Sequence, residues 1–191
     1  MHSNIEMLSK LDSAIGDGDH GFTIDRGFRN VLKEIEKNKL DDISSLLIMV
    51  GNVLLATMGG ASGPLFGTFF KKMGEKVSGL SSINLSSLYG MFSFGYESLL
   101  EISNAKPGDK TLIDSLYPGV ESLKKSLNNN TKLEEALKNM VLDSEKGMIS
   151  TKELIATKGR ARYLRERSIG NQDVGATSMY LIIKSFYESI I

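Results

Sequence analysis

Apolar side chains recur along almost the whole chain at the three- and four-residue spacing of a helix face, and runs of strict apolar–polar alternation are scarce. That periodicity leaves little backbone for a sheet and predicts an all-α fold. It puts Val31, Leu32 and Ile35 on one helical face after Thr23, and Leu46, Leu47, Val50, Val53, Leu54 and Thr57 on a face of the next segment. Pro64 stands where a first helical turn tolerates it and opens a helix over 65–77. Leu88, Met91, Phe92, Gly95, Leu99 and Ile102 are spaced for burial on a helix over 85–102. A turn cluster at 103–108 then leads into a helix over 109–128 that contains Pro118, a residue that can kink it. Thr131 and Glu134 have capping-box spacing for a helix to Met148; a short helix over 151–157 and a terminal one over 175–191 follow. Seven to eight helices with mostly short connections predict a compact bundle with antiparallel neighbours, a single domain over 1–191.

Composition narrows the chemistry. The 191 residues are 41% hydrophobic, enough to bury a sizeable core. Lys and Arg (23) balance Asp and Glu (23), which excludes a globally basic nucleic-acid binder. With no cysteine there is no disulfide framework, thiol nucleophile or thiolate metal cluster, so any metal site must use carboxylate, carbonyl or His ligands. Residues 1–10 include Glu6 and Lys10 and no long apolar core, so they do not read as a signal peptide, and a cytoplasmic location is expected. His2 is expected to be inert. Residues 43–70 carry no charged side chain and are long enough on paper to span a bilayer. Asn52, Ser62, Gly59-Gly60 and Gly63-Pro64 would leave backbone unsatisfied in lipid, so the expected form is a buried helix followed by a loop, with no membrane partner.

The loops carry the chemistry. Residues 11–21, LDSAIGDGDHG, crowd Asp12, Asp17 and Asp19 together with Gly16, Gly18 and Gly21. Carboxylates in one short loop repel one another unless they protonate or bind cations, and hard oxygens suit Mg²⁺. The bland alternative is a solvated acidic turn. The glycines also satisfy GxGxxG, but no strand precedes them and the aspartates would repel a bare pyrophosphate. An EF-hand is excluded because Phe28 stands where the bidentate Glu belongs. His20 reads as a metal ligand, a phosphate donor or a helix-start hydrogen bonder. A second loop, GGASGPLFGT over 59–68, runs glycine-rich backbone into a helix start and suits an anion, although close helix packing also explains such glycines. A third stretch, 158–167, has five cations against one anion, suited to phosphate or a carboxylate surface, or to a solvated face. Asp173, in the polar entry to the last helix, either caps that helix or holds a ribose or base.

In this order, LDSAIGDGDHG, GGASGPLFGTFF, KPGDKT and KGRARYLRERSIGNQDVGATS resemble the family of nucleotide-binding dihydroxyacetone kinase subunits, the DhaL type, from Leu11 to the final helix. The resemblance implies a closed helical bundle holding ADP or ATP and two Mg²⁺ in loops at one end. It makes Asp12, Asp17 and Asp19 metal-binding and catalytic, and Arg160 a catalytic, nucleotide-contacting arginine. By the same resemblance His20, Gly21, Phe22 and Thr23 meet the nucleotide and Ala61 and Ser62 form its phosphate loop. Leu112 lines the adenine side, and Asp173, Val174 and Gly175 form the final nucleotide loop. Ser103 replaces a glycine often found in the third loop. Family members carry an N-terminal helix before the acidic loop, most of which this chain is expected to lack. The implied activity is phosphoenolpyruvate-dependent: phosphate passes from a phosphohistidine phosphocarrier subunit of the phosphotransferase system, through resident ADP, to dihydroxyacetone held on a separate kinase subunit. Alternatives are exchangeable ATP serving a related ketose such as erythrulose, and a nucleotide-sensing module that binds a regulator.

Overall fold

The computed structural model describes residues 2–38, 40 and 42–190, without the side chain of His2. Among them every regular element is helical: α1 (Ile5–Ile15), α2 (His20–Lys37), α3 (Ile43–Thr57), α4 (Ser62–Lys76), α5 (Leu85–Ser103), α6 (Leu112–Asn128), α7 (Leu133–Ser150) and α8 (Val174–Glu188). Short 3₁₀ segments occupy Thr151–Glu153 and Ala161–Ser168. The all-α expectation holds, and the eight α-helices among the described residues fall within the seven to eight expected, α1 among them and the expected helix over 151–157 not. No described helix is long and apolar enough to cross a membrane, and the uncharged run over 43–70 divides into α3, a loop and the start of α4. The expectations for His2 and for Ile191 lie outside what is described.

The chain forms two compact units, one of residues 21–104 with the N-terminal residues up to Ile5, the other of 6–20 and 105–191. In the first, α3 and α4 run antiparallel at close range: Gly51 faces the backbone of Gly67 and Lys71, and Gly74 faces that of Ser44 and Ile48. A Cβ at Gly51 would stand 2.6 Å from Gly67 O, so only glycine permits this approach. Phe66, Phe69, Phe70, Met73 and Phe92 fill the core, with Phe69 edge-on to both Phe70 (5.6 Å) and Phe92 (5.9 Å). Leu88, Met91, Phe92, Gly95 and Leu99 are buried as expected, whereas Ile102 is 49% exposed. On α2 Val31 is buried, whereas Leu32 is 60% exposed and Ile35 40% exposed, so the apolar stripe extends beyond the covered face.

In the second unit, α6 and α7 are locked in antiparallel register by an exchange of serine bonds. Ser144 Oγ donates to Ser115 O (2.7 Å) and Ser115 Oγ donates to Ser144 O (3.1 Å). Pro118 lacks the N–H that would have bonded Asp114 O, and that carbonyl faces Gly147, where a Cβ would overlap it. Gly147→Ala is therefore expected to destabilise the fold by about 2 kcal/mol, read from the urea unfolding midpoint.

Several helix boundaries differ from the expectations. Helix α6 starts at Leu112 rather than Asp109, under a capping box of Thr111 and Asp114, and residues 109–111 are loop. The Thr131–Glu134 capping box does not form. Asn130 is left-handed (φ 52) and Thr131 N–H donates to Ser126 O (2.9 Å), so Thr131 is spent closing α6, and α7 follows Lys132 without a side-chain cap. Residues 151–157 contain only the single turn Thr151–Glu153, and α8 spans Val174–Glu188.

Candidate functional site

Between the end of α1 and the start of α2 lie residues 16–19, and the local bonding there aims carboxylates. Gly16 N–H donates to Asp12 O (2.5 Å), and a Cβ on Gly16 would overlap Asp12 Oδ1. Gly18 takes the left-handed conformation (φ 78). Asp12 is buried, and its Oδ2 accepts the His20 backbone N–H (3.2 Å), which sets a negative group at the N-terminus of α2. One oxygen from each of Asp12, Asp17 and Asp19 then lies within 4.8 Å of the others. Burial, together with the charges of Asp17 and Asp12, holds Asp19 above the usual carboxylate range against the opposing pull of Arg160. Three hard oxygen donors gathered against their own repulsion fit a divalent cation such as Mg²⁺.

Two further groups complete this end of the second unit. The Arg160 guanidinium pairs with the Asp17 carboxylate. The His20 ring places Nε2 2.8 Å from Ser178 Oγ on α8, and burial lowers its pKa against the pull of Asp12, so the ring is neutral at neutral pH. Of the roles open to His20, the helix-start bond is made by its backbone N–H rather than by the ring. Ser178 had no signal in the sequence, standing one polar residue among several and 158 positions from its partner.

The loop before α6 holds residues that periodicity does not reveal. Asp109 Oδ1 accepts from Thr157 Oγ1 (2.7 Å) and Asp109 O from Thr157 N–H (3.2 Å). Asp114 receives the N–H groups of Gly108 (2.5 Å) and Thr111 (2.7 Å). Burial nevertheless raises its pKa, outweighing those two donors. Lys110 is 2% exposed, and its ammonium donates to Leu154 O (3.0 Å) and Ser168 O (2.7 Å).

Asp173 caps α8: Oδ2 accepts from Ala176 N–H (2.7 Å), while its own N–H donates to Thr151 Oγ1 (2.9 Å). Gly175 lies against Leu112, where a Cβ would come 3.5 Å from Leu112 N, so Leu112, Asp173, Val174 and Gly175 meet at one point of this unit. Burial pushes the Asp173 carboxyl up to about 7; the Ala176 N–H opposes this, Asp114 adds to it and Lys110 offsets part. The folded chain thus keeps a proton that the unfolded chain releases above its ordinary value of 3.8. Stability from this group is full below that value and is lost as pH rises through about 7, at up to ~1.4 kcal/mol per pH unit. Neutral His20 acts in the opposite sense, costing stability as pH falls below 6.5. Asp173→Asn is expected to remove the first slope and leave the second, which urea titrations of both chains across pH 4–8 resolve.

The remaining expected site residues belong to the first unit. Gly21 and Thr23 are buried in the first turn of α2, and Phe22 is 64% exposed. Ala61 and Ser62 open α4 without a side-chain cap, after Gly60 at φ 61, so the first N–H groups of that helix have no capping side chain. Ser103 Oγ is turned to Leu99 O of its own helix (2.6 Å).

Three carboxylates gathered at the end of α1 and in the loop after it, with an arginine on one of them, are residue types that suit a metal-bound anionic group. The DAK2 domain profile matches residues 14–188, and the chain belongs to that family. It is 42% identical to the "PEP-dependent dihydroxyacetone kinase, ADP-binding subunit DhaL" of Escherichia coli over 94% of this chain and 85% of that subunit. It is 40% identical to the "PEP-dependent dihydroxyacetone kinase 2, ADP-binding subunit DhaL" of Listeria innocua, over 97% of this chain and 86% of that one. The crystal structure of the dihydroxyacetone kinase from C. freundii in complex with AMP-PNP and Mg²⁺ matches at a TM-score of 0.74 and 26% identity, covering 98% of this chain. The chain spans 31% of the length of that kinase.

Proposed function

We propose that this chain is the nucleotide-binding subunit of a dihydroxyacetone kinase. In this reading it passes phosphate from a phosphohistidine phosphocarrier subunit, through bound ADP, to dihydroxyacetone held on a separate subunit. The observation that carries this is the convergence of Asp12, Asp17 and Asp19 oxygens within 4.8 Å, with Arg160 on Asp17. Phosphoryl transfer needs positioning and charge stabilisation more than a covalent catalyst, and these residue types supply both. Support comes from the names of the relatives and from the nucleotide and Mg²⁺ in the C. freundii complex.

Asp12, Asp17 and Asp19 would hold two Mg²⁺, which would neutralise phosphate charge when bound. Arg160 stabilises charge on the transferring group. Leu112, Asp173, Val174 and Gly175 receive the nucleoside part, and His20 meets the nucleotide. By the same reading Gly21, Phe22, Thr23, Ala61, Ser62 and Ser103 are nucleotide-contacting positions, and residues 1–191 make up one DhaL-type domain. The test is direct. The protein is purified in Mg²⁺, dialysed, denatured, and any released nucleotide identified by chromatography. Retained ADP is the expected result; a folded chain that releases none overturns the resident-nucleotide relay. Transfer of label from the phosphorylated carrier to dihydroxyacetone tests the partners.

A further inference from the structure

Lys110 combines two unfavourable features. Its charge is almost wholly removed from water, its hydrogen bonds go to two backbone carbonyls, and the carboxylate whose charge reaches it is that of Asp173. Its backbone also lies in the left-handed region (φ 61), which favours glycine and disfavours long side chains. A chain needing only a filled core would place an apolar residue here, since buried charge is costly. The ammonium supplies what an apolar residue cannot: donors that reach two carbonyls from opposite ends of one segment, Leu154 O and Ser168 O.

Other bonds finish the same neck. Ser168 Oγ accepts from Ala156 N–H (2.9 Å), and Thr157 is tied to Asp109, the neighbour of Lys110, through both backbone and hydroxyl. Beyond the neck lies an exposed tip. Gly159 and Arg165 have positive φ (61 and 51), and Arg162 folds onto its neighbour Tyr163 (4.7 Å to the ring centroid). Arg160 stands on this tip with a 69% exposed side chain and reaches Asp17. An exposed ion pair is too weak to place a loop by itself, so the neck must set the position of Arg160.

We propose that Lys110 is a positioning residue for phosphoryl transfer, clasping the two ends of segment 154–168 so that Arg160 is held beside the acidic cluster. This rests on the function proposed above. The experiment uses the full chain in Mg²⁺ and ADP, with Lys110→Met, Thr157→Val, Arg160→Gln and the Lys110→Met/Arg160→Gln double variant. Limited trypsin digestion, read by mass spectrometry, is expected to cut after Arg162, Arg165 and Arg167 about ten-fold faster in Lys110→Met. Thr157→Val, an exposed change that leaves the core intact, accelerates cutting less, and Arg160→Gln leaves the rate unchanged.

In the transfer assay with the partner subunits, Lys110→Met lowers kcat more than it raises the nucleotide KM, and adds no further loss in the Arg160→Gln background. Losses that multiply in the double variant, or unchanged cutting in both neck variants, overturn the proposal. If the wild-type chain transfers no phosphate, the proposed function fails and the catalytic role of Lys110 with it. The cutting rates still decide whether the clasp exists.

Discussion

Under the proposed function, Asp17→Asn and Asp19→Asn are each expected to weaken Mg²⁺ binding at least about ten-fold, since even indirect partners of a metal ligand are worth that much. Both changes are nearly isosteric. Asp17 and Asp19 are exposed and lie outside the helices, so the far-UV circular dichroism is expected to stay close to that of the unaltered chain. Each substitution removes one of three mutually repelling carboxylates, which relieves the folded protein while taking away an oxygen donor proposed for the ion. Nucleotide retention is expected to fall together with metal affinity, because the ion would neutralise the phosphate charge that the cluster otherwise repels. Titration calorimetry with Mg²⁺, alone and with ADP, measures both losses. Undiminished ADP binding in both variants would sink the assignment of this cluster.

Arg160→Gln separates catalysis from stability. The ion pair with Asp17 is exposed, so its contribution to folding is about 0–1 kcal/mol, and the urea midpoint moves little. An arginine placed to stabilise charge in phosphoryl transfer is worth about 10³-fold or more in rate. A loss on that scale from the labelled carrier to dihydroxyacetone, with Mg²⁺ affinity nearly kept, is the expected pattern. A loss below about ten-fold assigns the charge stabilisation to another group.

Much of the fold was legible because helix periodicity needs only local information, and the loops announced themselves by glycine and like charge. Burial was less legible. The stripe through Leu32, Ile35 and Ile102 marks which face of a helix is apolar but not how much of it a neighbour covers. The false cap at Thr131 has a related origin: its spacing to Glu134 fits a helix start, but its N–H is already spent on Ser126. In the site, the aspartates could be read because they crowd within a few positions. Lys110 could not, since its carbonyl partners lie 44 and 58 positions away and carbonyls carry no sequence signature. His20 was visible as a candidate, yet its role depended on burial and on Ser178, which only the fold supplies.

The serine exchange between α6 and α7 makes the length of α7 a gauge. Ser144 fixes that helix on Ser115, and Thr151, just past its end, carries the hydroxyl on which the Asp173 N–H rests. One residue inserted between Ser144 and Thr151 would advance Thr151 by about 1.5 Å and swing it about 100° around the helix axis, away from that seat. Such an insertion leaves an intact helix and an unseated Asp173. Along this stretch, insertions and deletions are therefore less tolerable than most substitutions, whereas the exposed tip over 159–167 can change length while the neck beneath it stays closed.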